Sequence, residues 1–217
     1  MTTTESEAEQ ARGTAYGQTE SLSLVDRFGV WLSSRRMRRA VRDFSGKRVG
    51  DFGCGFEAQF ARTLLDRVDE LVLIDVALAP DLKDMAKVTA IEGELPAALE
   101  QLEQMSLDVI VLNSVLEHLW EPEWAIAESY RVLRPGGTLM VNVPSWRGKR
   151  FLELSAFRFG TSPAEEMDDH KNYYDPRDLW PLLVRAGFRP SEIKCFRHKF
   201  GLNTWGQCRR PETKGDA

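Results

Sequence analysis

Val49-Gly50-Asp51-Phe52-Gly53-Cys54-Gly55-Phe56-Glu57-Ala58 is the stretch that decides the fold. Arg48 to Phe52 reads as a short buried strand. Gly53 and Gly55 then permit a tight turn and close backbone approach to a ligand, because neither carries a Cβ. From Gln59 to Leu65 the apolar residues return at helical spacing. A strand, a glycine turn and a helix in succession make a nucleotide-binding unit, with helix N–H groups facing the ligand.

The glycines leave the nucleotide open. Gly53-x-Gly55-x-x-Ala58 fits the dinucleotide fingerprint, and Asp75 follows at about the twenty-residue spacing which that fingerprint asks for. Asp51 argues otherwise. A carboxylate two residues before the first glycine would repel a pyrophosphate at short range. It suits a ligand that carries a sulfonium and an ammonium group, which describes S-adenosylmethionine.

Composition bounds the rest. A chain of 217 residues suits one domain with a real core. Apolar content of 42% and charged content of 29% are ordinary for a soluble globular protein. A net charge of −4 gives no reason to expect nucleic acid as a partner. No apolar run reaches membrane-spanning length, and the polar start Met1 to Gln10 has no signal-peptide pattern. Cys54, Cys195 and Cys208 are odd in number and widely spaced, without metal-site spacing. They imply a reduced, intracellular setting, here read as cytoplasmic.

Residues 1–20 read as a disordered polar tail, and 21–44 as a helix with Val25, Phe28, Trp31 and Leu32 at helical spacing. Arg35, Arg36, Arg38, Arg39 and Arg42 follow as a basic cluster. It reads first as a solvated helix end favoured by the helix dipole; a weak membrane-surface contact through Arg35–Arg42 is the alternative. Beyond the glycine turn, Leu71 to Asp75, Val88 to Ile91, Leu107 to Asn113 and Thr138 to Val143 read as strands. Helices are expected over 96–105 and 123–133, the second stopped by Arg134-Pro135-Gly136-Gly137. Strands alternating with helices form a parallel sheet covered on both faces, with ligands beyond the strand C-terminal ends. Gly53, Asp75, Glu94 and Asn113 all fall there. At its strand end, Asp75 can accept hydrogen bonds from two ribose hydroxyls.

Four segments in this order resemble the class I S-adenosylmethionine-dependent methyltransferases of small-molecule type. They are the glycine turn, Leu73-Ile74-Asp75, the run from Asp108 to Glu117-His118, and Arg131 to Gly137. The resemblance is close over about 45–145 and looser to about 210. It implies an α/β, Rossmann-like, doubly wound, seven-stranded, mostly parallel sheet with an antiparallel C-terminal strand. It implies S-adenosyl-L-methionine as cofactor, with Asp51, Gly53, Cys54 and Gly55 lining the methionine end. Asp75 would hold the ribose, Glu94 would meet the adenine amino group, and Asn113 and Ser114 would lie beside the methionine portion. Glu57 departs from the family, which usually has another glycine there, so a side chain would narrow the pocket or touch the amino group. His118 is expected to hold the loop after the fourth strand rather than act as a base.

Residues 144–174 are rich in aromatic, basic and turn-forming types and too long for a plain connection, so they read as a lid or substrate insert. Trp146, Arg147, Lys149, Arg150, Phe157, Arg158 and Phe159 would suit a polar or anionic ring compound such as a sugar or glycan intermediate. His170 is the candidate catalytic residue: imidazole titrates near neutrality and can take a hydroxyl proton, with Asp168 or Asp169 orienting it. A metal held by these three, or a helix-capping role, are the alternatives; no metal is assigned. Asp175-Pro176 caps a helix whose apolar face is Leu179, Trp180, Leu182, Leu183 and Val184, and 191–198 and 200–209 read as two antiparallel strands. The expected activity is methylation of a small-molecule or glycan hydroxyl, with no nucleic-acid partner, because the fourth segment reads Asn113-Ser114-Val115-Leu116 instead of an amino-methylating signature. A nitrogen or carboxylate acceptor, a nicotinamide-dependent oxidoreductase and a non-catalytic cofactor-binding protein are the competing readings.

Overall fold

The computed structural model describes residues 15–16, 24–151 and 170–212. Strands β1 (Arg48–Phe52), β2 (Glu70–Asp75), β3 (Val88–Glu92), β4 (Leu107–Asn113), β5 (Leu133–Pro144), β6 (Ile193–His198) and β7 (Asn203–Arg209) form one sheet. Its order is β3-β2-β1-β4-β5-β7-β6. β1 to β5 pair in parallel, and β7 runs antiparallel to both β5 and β6. The sheet is the mostly parallel, seven-stranded, Rossmann-like one the sequence implies.

β2 shows why a continuous apolar run becomes a central strand. Leu71 and Leu73 enter one core with Val109 of β4 and Trp205 of β7, while Val72 and Ile74 enter the other with Ile110 and Leu112. Side chains alternate across a strand, so both faces must be apolar where both are covered. The first core is closed by α1 (Leu24–Ala40), α2 (Gln59–Arg62) and α3 (Pro80–Lys83), through Met37, Phe60 and Leu82. The second is closed by α4 (Pro122–Val132) and, after a helical stretch α5 at residues 146–151, by α6 (Pro176–Arg185), through Ile126, Leu179 and Leu183. Strand order reverses between β1 and β4, so a crevice opens beyond their C-terminal ends.

Some expectations need correction. In α1 the apolar pair Phe28 and Trp31 is exposed, the rings stacked 5.8 Å apart, and the buried face is Ser33, Ser34 and Met37, followed by buried Val41 just past the helix end. Hydroxyls can face inward because the helix satisfies them locally: Ser33 Oγ donates to the Gly29 carbonyl at 3.1 Å. The basic cluster also divides. Arg36 lies over the rings of Phe196 (4.6 Å) and Trp205 (5.5 Å), while Arg38, Arg39 and Arg42 face solvent. The helices expected over 59–65 and 96–105 shrink to the single turn of α2 and to a 3₁₀ turn at Ala97–Gln101. Trp180, expected on the apolar face of α6, is 39% exposed. The chain at 133–137 continues into β5, because Leu133 pairs with Leu107 before a bulge shifts the register.

Candidate active site

The glycine turn begins where β1 ends. Gly53 and Cys54 donate their N–H groups to the Ile74 carbonyl at 2.7 and 3.4 Å, which folds the chain back across β2. Gly53 has φ +68°, and a Cβ there would lie 2.5 Å from Val115 Cγ2, so both conformation and space require glycine. Gly55 (φ +76°) faces a backbone neighbour that the sequence does not announce: the Tyr16 carbonyl, which accepts the Phe56 N–H at 2.9 Å. Ala15 and Tyr16, expected within a disordered tail, therefore sit on the turn, with Ala15 buried.

Two carboxylates meet at this turn. Asp75, at the end of β2, accepts the Gly55 N–H at 2.7 Å on one oxygen and the Val76 N–H at 2.8 Å on the other. Each carboxylate oxygen has a second lone pair, so hydroxyl donors can still be received. Asp51, in β1, is only 4% exposed. Burial, and then the charge of Asp75, push its carboxyl up to about 7. The same burial, with Asp51 and Asp75 beside it, raises the Cys54 thiol, so Cys54 is a neutral contact and not a nucleophile. Two repelling carboxylates around a turn with no Cβ fit a ligand that brings positive charge and ribose hydroxyls.

The other expected positions surround this centre. Gly93 donates its N–H to the Asp75 carbonyl at 2.9 Å, which places exposed Glu94 one residue from the β2 end. Asn113 ends β4, and its Oδ1 accepts from Asn142 Nδ2 of β5 at 3.0 Å. Ser114 is exposed, takes φ +57°, and donates its N–H to the Asn142 carbonyl at 2.8 Å. Asn142 is a site residue that the sequence reading missed; its only signal was a polar residue inside an apolar strand. Glu57 does not enter the pocket: half exposed, it meets Arg62 Nη2 at 3.4 Å, and Arg62 also pairs with Asp81 at 2.7 Å.

A second cluster lies past the end of β4. A 3₁₀ turn at Leu116–His118 carries Glu117, almost wholly buried, and His118. The chain returning at 170–174 packs onto it. Lys171 and Asn172 donate their N–H groups to the Glu117 carbonyl at 2.7 and 3.1 Å, and Tyr174 donates its own to Pro144 at the end of β5 at 3.0 Å. His170 and His118 meet edge to face, centroids 4.9 Å apart, and His170 Nδ1 lies 3.2 Å from the Tyr173 hydroxyl. Tyr173 in turn faces Trp146 (5.6 Å) and Lys149 (5.7 Å). Glu117, His118 and His170 each present a ligating atom within 4.8 Å of the others, so they are the described residues able to hold a metal ion. Lys199, also unsignalled in the sequence, is lowered to about 8 by burial, opposed by the charge of Glu117. Asp168, Asp169, Phe157, Arg158 and Phe159 lie outside the described residues.

Comparison with known proteins bears on the family and the fold. Residues 50–141 match a family model described as a methyltransferase domain. A probable S-adenosylmethionine-dependent methyltransferase of Mycolicibacterium smegmatis is 28% identical over 76% of the chain. A ubiquinone biosynthesis O-methyltransferase of Xylella fastidiosa is 26% identical over 71% of it. The chain spans 61% and 66% of the lengths of these two relatives. Among solved structures, a putative methyltransferase of Bacillus halodurans superposes with a TM-score of 0.60 at 16% identity, covering 82% of this chain and 98% of that one. The [4+2]-cyclase SpnF superposes with a TM-score of 0.62 at 17% identity, covering 94% of this chain and 89% of that one.

Proposed function

Because the chain belongs to the class I S-adenosylmethionine-dependent methyltransferases, whose cofactor is S-adenosyl-L-methionine, we propose that it methylates a hydroxyl of a small molecule or glycan intermediate. The observation that carries this reading is the pairing of two unlike sites at one sheet edge. An acidic glycine turn closes the ends of β1 and β2, and an imidazole–phenol cluster lies past the ends of β4 and β5. Bound S-adenosylmethionine supplies a methyl group on a sulfonium, already a good leaving group. The protein's part is then alignment and proton management. Asp51 answers the positive charge, and Asp75 receives the ribose. Gly53, Cys54 and Gly55 let the methionine end approach the backbone; Asn113 and Ser114 flank it, and Glu94 reaches toward the adenine amino group. His170, oriented by Tyr173, takes the acceptor's hydroxyl proton.

The ubiquinone biosynthesis relative supports an oxygen acceptor, and the fit of the SpnF cyclase keeps non-methylating chemistry as the competing outcome. The test is transfer of labelled methyl from S-adenosylmethionine into a pool of sugar nucleotides, glycolipid precursors and phenols, with wild type and His170→Gln. Product labelled on nitrogen or carboxylate would replace the hydroxyl reading. Tight cofactor binding without transfer to any pool would support the non-catalytic reading.

A second reading has its own observation. Glu117, His118 and His170 form a two-histidine, one-carboxylate set within 4.8 Å, a donor set that suits a divalent transition metal. In that case Glu117, His118 and His170 would hold the ion, which would supply Lewis-acid chemistry toward the acceptor hydroxyl. Loss of turnover with EDTA, restored by manganese or zinc, would select this reading over the free base.

A further inference from the structure

The acceptor side continues beyond Trp146 into a cavity of about 500 Å³ lined by Trp146, Arg147, Arg150, Asp175, Arg177 and Arg197. We propose that this cavity is a subsite for a phosphate or diphosphate group on the acceptor. The proposal rests on the hydroxyl-methylation reading above and gives it a substrate class: a phosphorylated sugar or glycan.

Four guanidinium groups line the cavity with one carboxylate, Asp175, which lies 3.7 Å from Arg197; Arg177 lies 3.7 Å from Asp178, which leaves Arg147 and Arg150 as the cations in excess. Among the described residues, Arg147 and Arg150 meet no carboxylate. Converging unpaired cations repel one another, and an anion with several acceptor oxygens relieves that repulsion. The arginines are placed by a built element. Ser145 is fully buried and donates its hydroxyl to the Gly201 carbonyl at 2.7 Å, while its Oγ accepts the Gly148 N–H at 3.0 Å and so caps α5. Gly148 is needed there because a Cβ would fall 2.2 Å from the Leu202 carbonyl oxygen. The clamp fixes α5 against the β6–β7 turn and sets Arg147 and Arg150 on one side, three residues apart. Arg177 enters from the first turn of α6, where the helix dipole disfavours a cation. An anion in the cavity offsets that cost.

A row of packed rings leads from one site to the other: His170 to Tyr173 is 5.5 Å between ring centroids, and Tyr173 to Trp146, which lines the cavity, is 5.6 Å. The proposal places the reacting hydroxyl at His170 and the sugar ring against Trp146.

The experiment measures binding to the full chain by calorimetry, with S-adenosylhomocysteine saturating. The probes are pyrophosphate, UDP, and vesicles of neutral lipid with or without phosphatidic acid. Wild type is expected to bind pyrophosphate or UDP saturably. Arg147→Gln/Arg150→Gln should weaken that binding about 10-fold or more, the scale of losing charge-assisted hydrogen bonds. Arg189→Gln, an exposed arginine four residues past the C-terminal end of α6, should leave it unchanged. Displacement from acidic vesicles by pyrophosphate would assign the phosphate to a lipid headgroup; binding of UDP with no vesicle association would assign it to a soluble phosphorylated acceptor. Unsaturable binding, or equal loss in Arg189→Gln and the double variant, would overturn the subsite. Cofactor affinity and methyl transfer by the same samples are read separately, so failure of the subsite does not mimic failure of the methylation reading.

Discussion

Cofactor binding should release a proton from Asp51. This carboxyl sits 4% exposed beside Asp75, and burial and that charge raise it to about 7. The raised value means that the neutral form is favoured in the folded protein. Its contribution to stability is complete below the unfolded value near 4 and is lost as pH rises through about 7, a loss of roughly 4 kcal/mol at most. A ligand bearing a sulfonium and an ammonium reverses the preference, because it pairs only with the ionised form. If binding requires that form, affinity relative to the alkaline plateau falls about 2-fold at pH 7, about 10-fold at pH 6 and about 100-fold at pH 5. Calorimetry of S-adenosylmethionine at pH 5.5 to 7.5, in buffers of different ionisation enthalpy, reads both the affinity and the proton count. Asp51→Asn should bind weakly at every pH, release no proton, and melt above the wild type at pH 8 but level with it at pH 4. Equal affinity at pH 5.5 and 7.5, with heats independent of buffer, would refute the placement of Asp51 against the cofactor's positive charge.

Three further outcomes follow from the same geometry. Asp75→Ala removes the acceptors of Gly55 and Val76 N–H, so it should lose about 1–3 kcal/mol of stability as well as at least about 10-fold in cofactor affinity, by denaturation and calorimetry. Gly53→Ala forces a side chain onto a φ of +68° and within 2.5 Å of Val115; a loss of about 1–3 kcal/mol in chemical denaturation is expected, with cofactor binding impaired. His170→Gln should lower kcat by about 10²–10⁴-fold with S-adenosylmethionine affinity nearly unchanged, and near-normal turnover in the variant would remove His170 from the chemistry.

The glycine turn and the strand ending at Asp75 were legible in the sequence because their signals are local. A strand, two glycines and an acid lie within about ten residues, and the Asp75 strand end follows at a fixed spacing. The rest depends on contacts between distant parts of the chain. Tyr16 reaches the glycine turn across forty residues of sequence through its backbone carbonyl, a contact that no sequence pattern marks. Lys199 and Glu117 are eighty-two positions apart, and neither reads as unusual alone. The exposed Phe28 and Trp31 misled for a related reason. Helical spacing of apolar residues reports that a face exists, while burial is decided by what packs there, and in α1 that face is Ser33, Ser34 and Met37.

The two halves of the site are joined by a very short stretch. Asn113 and Ser114 end β4 against Asn142, on the cofactor side; Glu117 and His118 lie three to four residues on, against His170. Ser114 makes the turn between them at φ +57°, a conformation that costs a non-glycine residue energy and is held by its N–H bond to the Asn142 carbonyl. The position of His170 relative to the glycine turn is therefore set by backbone contacts at the C-terminal ends of β4 and β5, with Lys171, Asn172 and Tyr174 N–H groups as the anchors. Side chains on the acceptor side can change without moving those anchors. Under the proposed function this would separate the two tasks physically: the sheet ends would fix where the methyl group is presented, and the residues around Tyr173, Trp146 and the arginine cavity would select the acceptor.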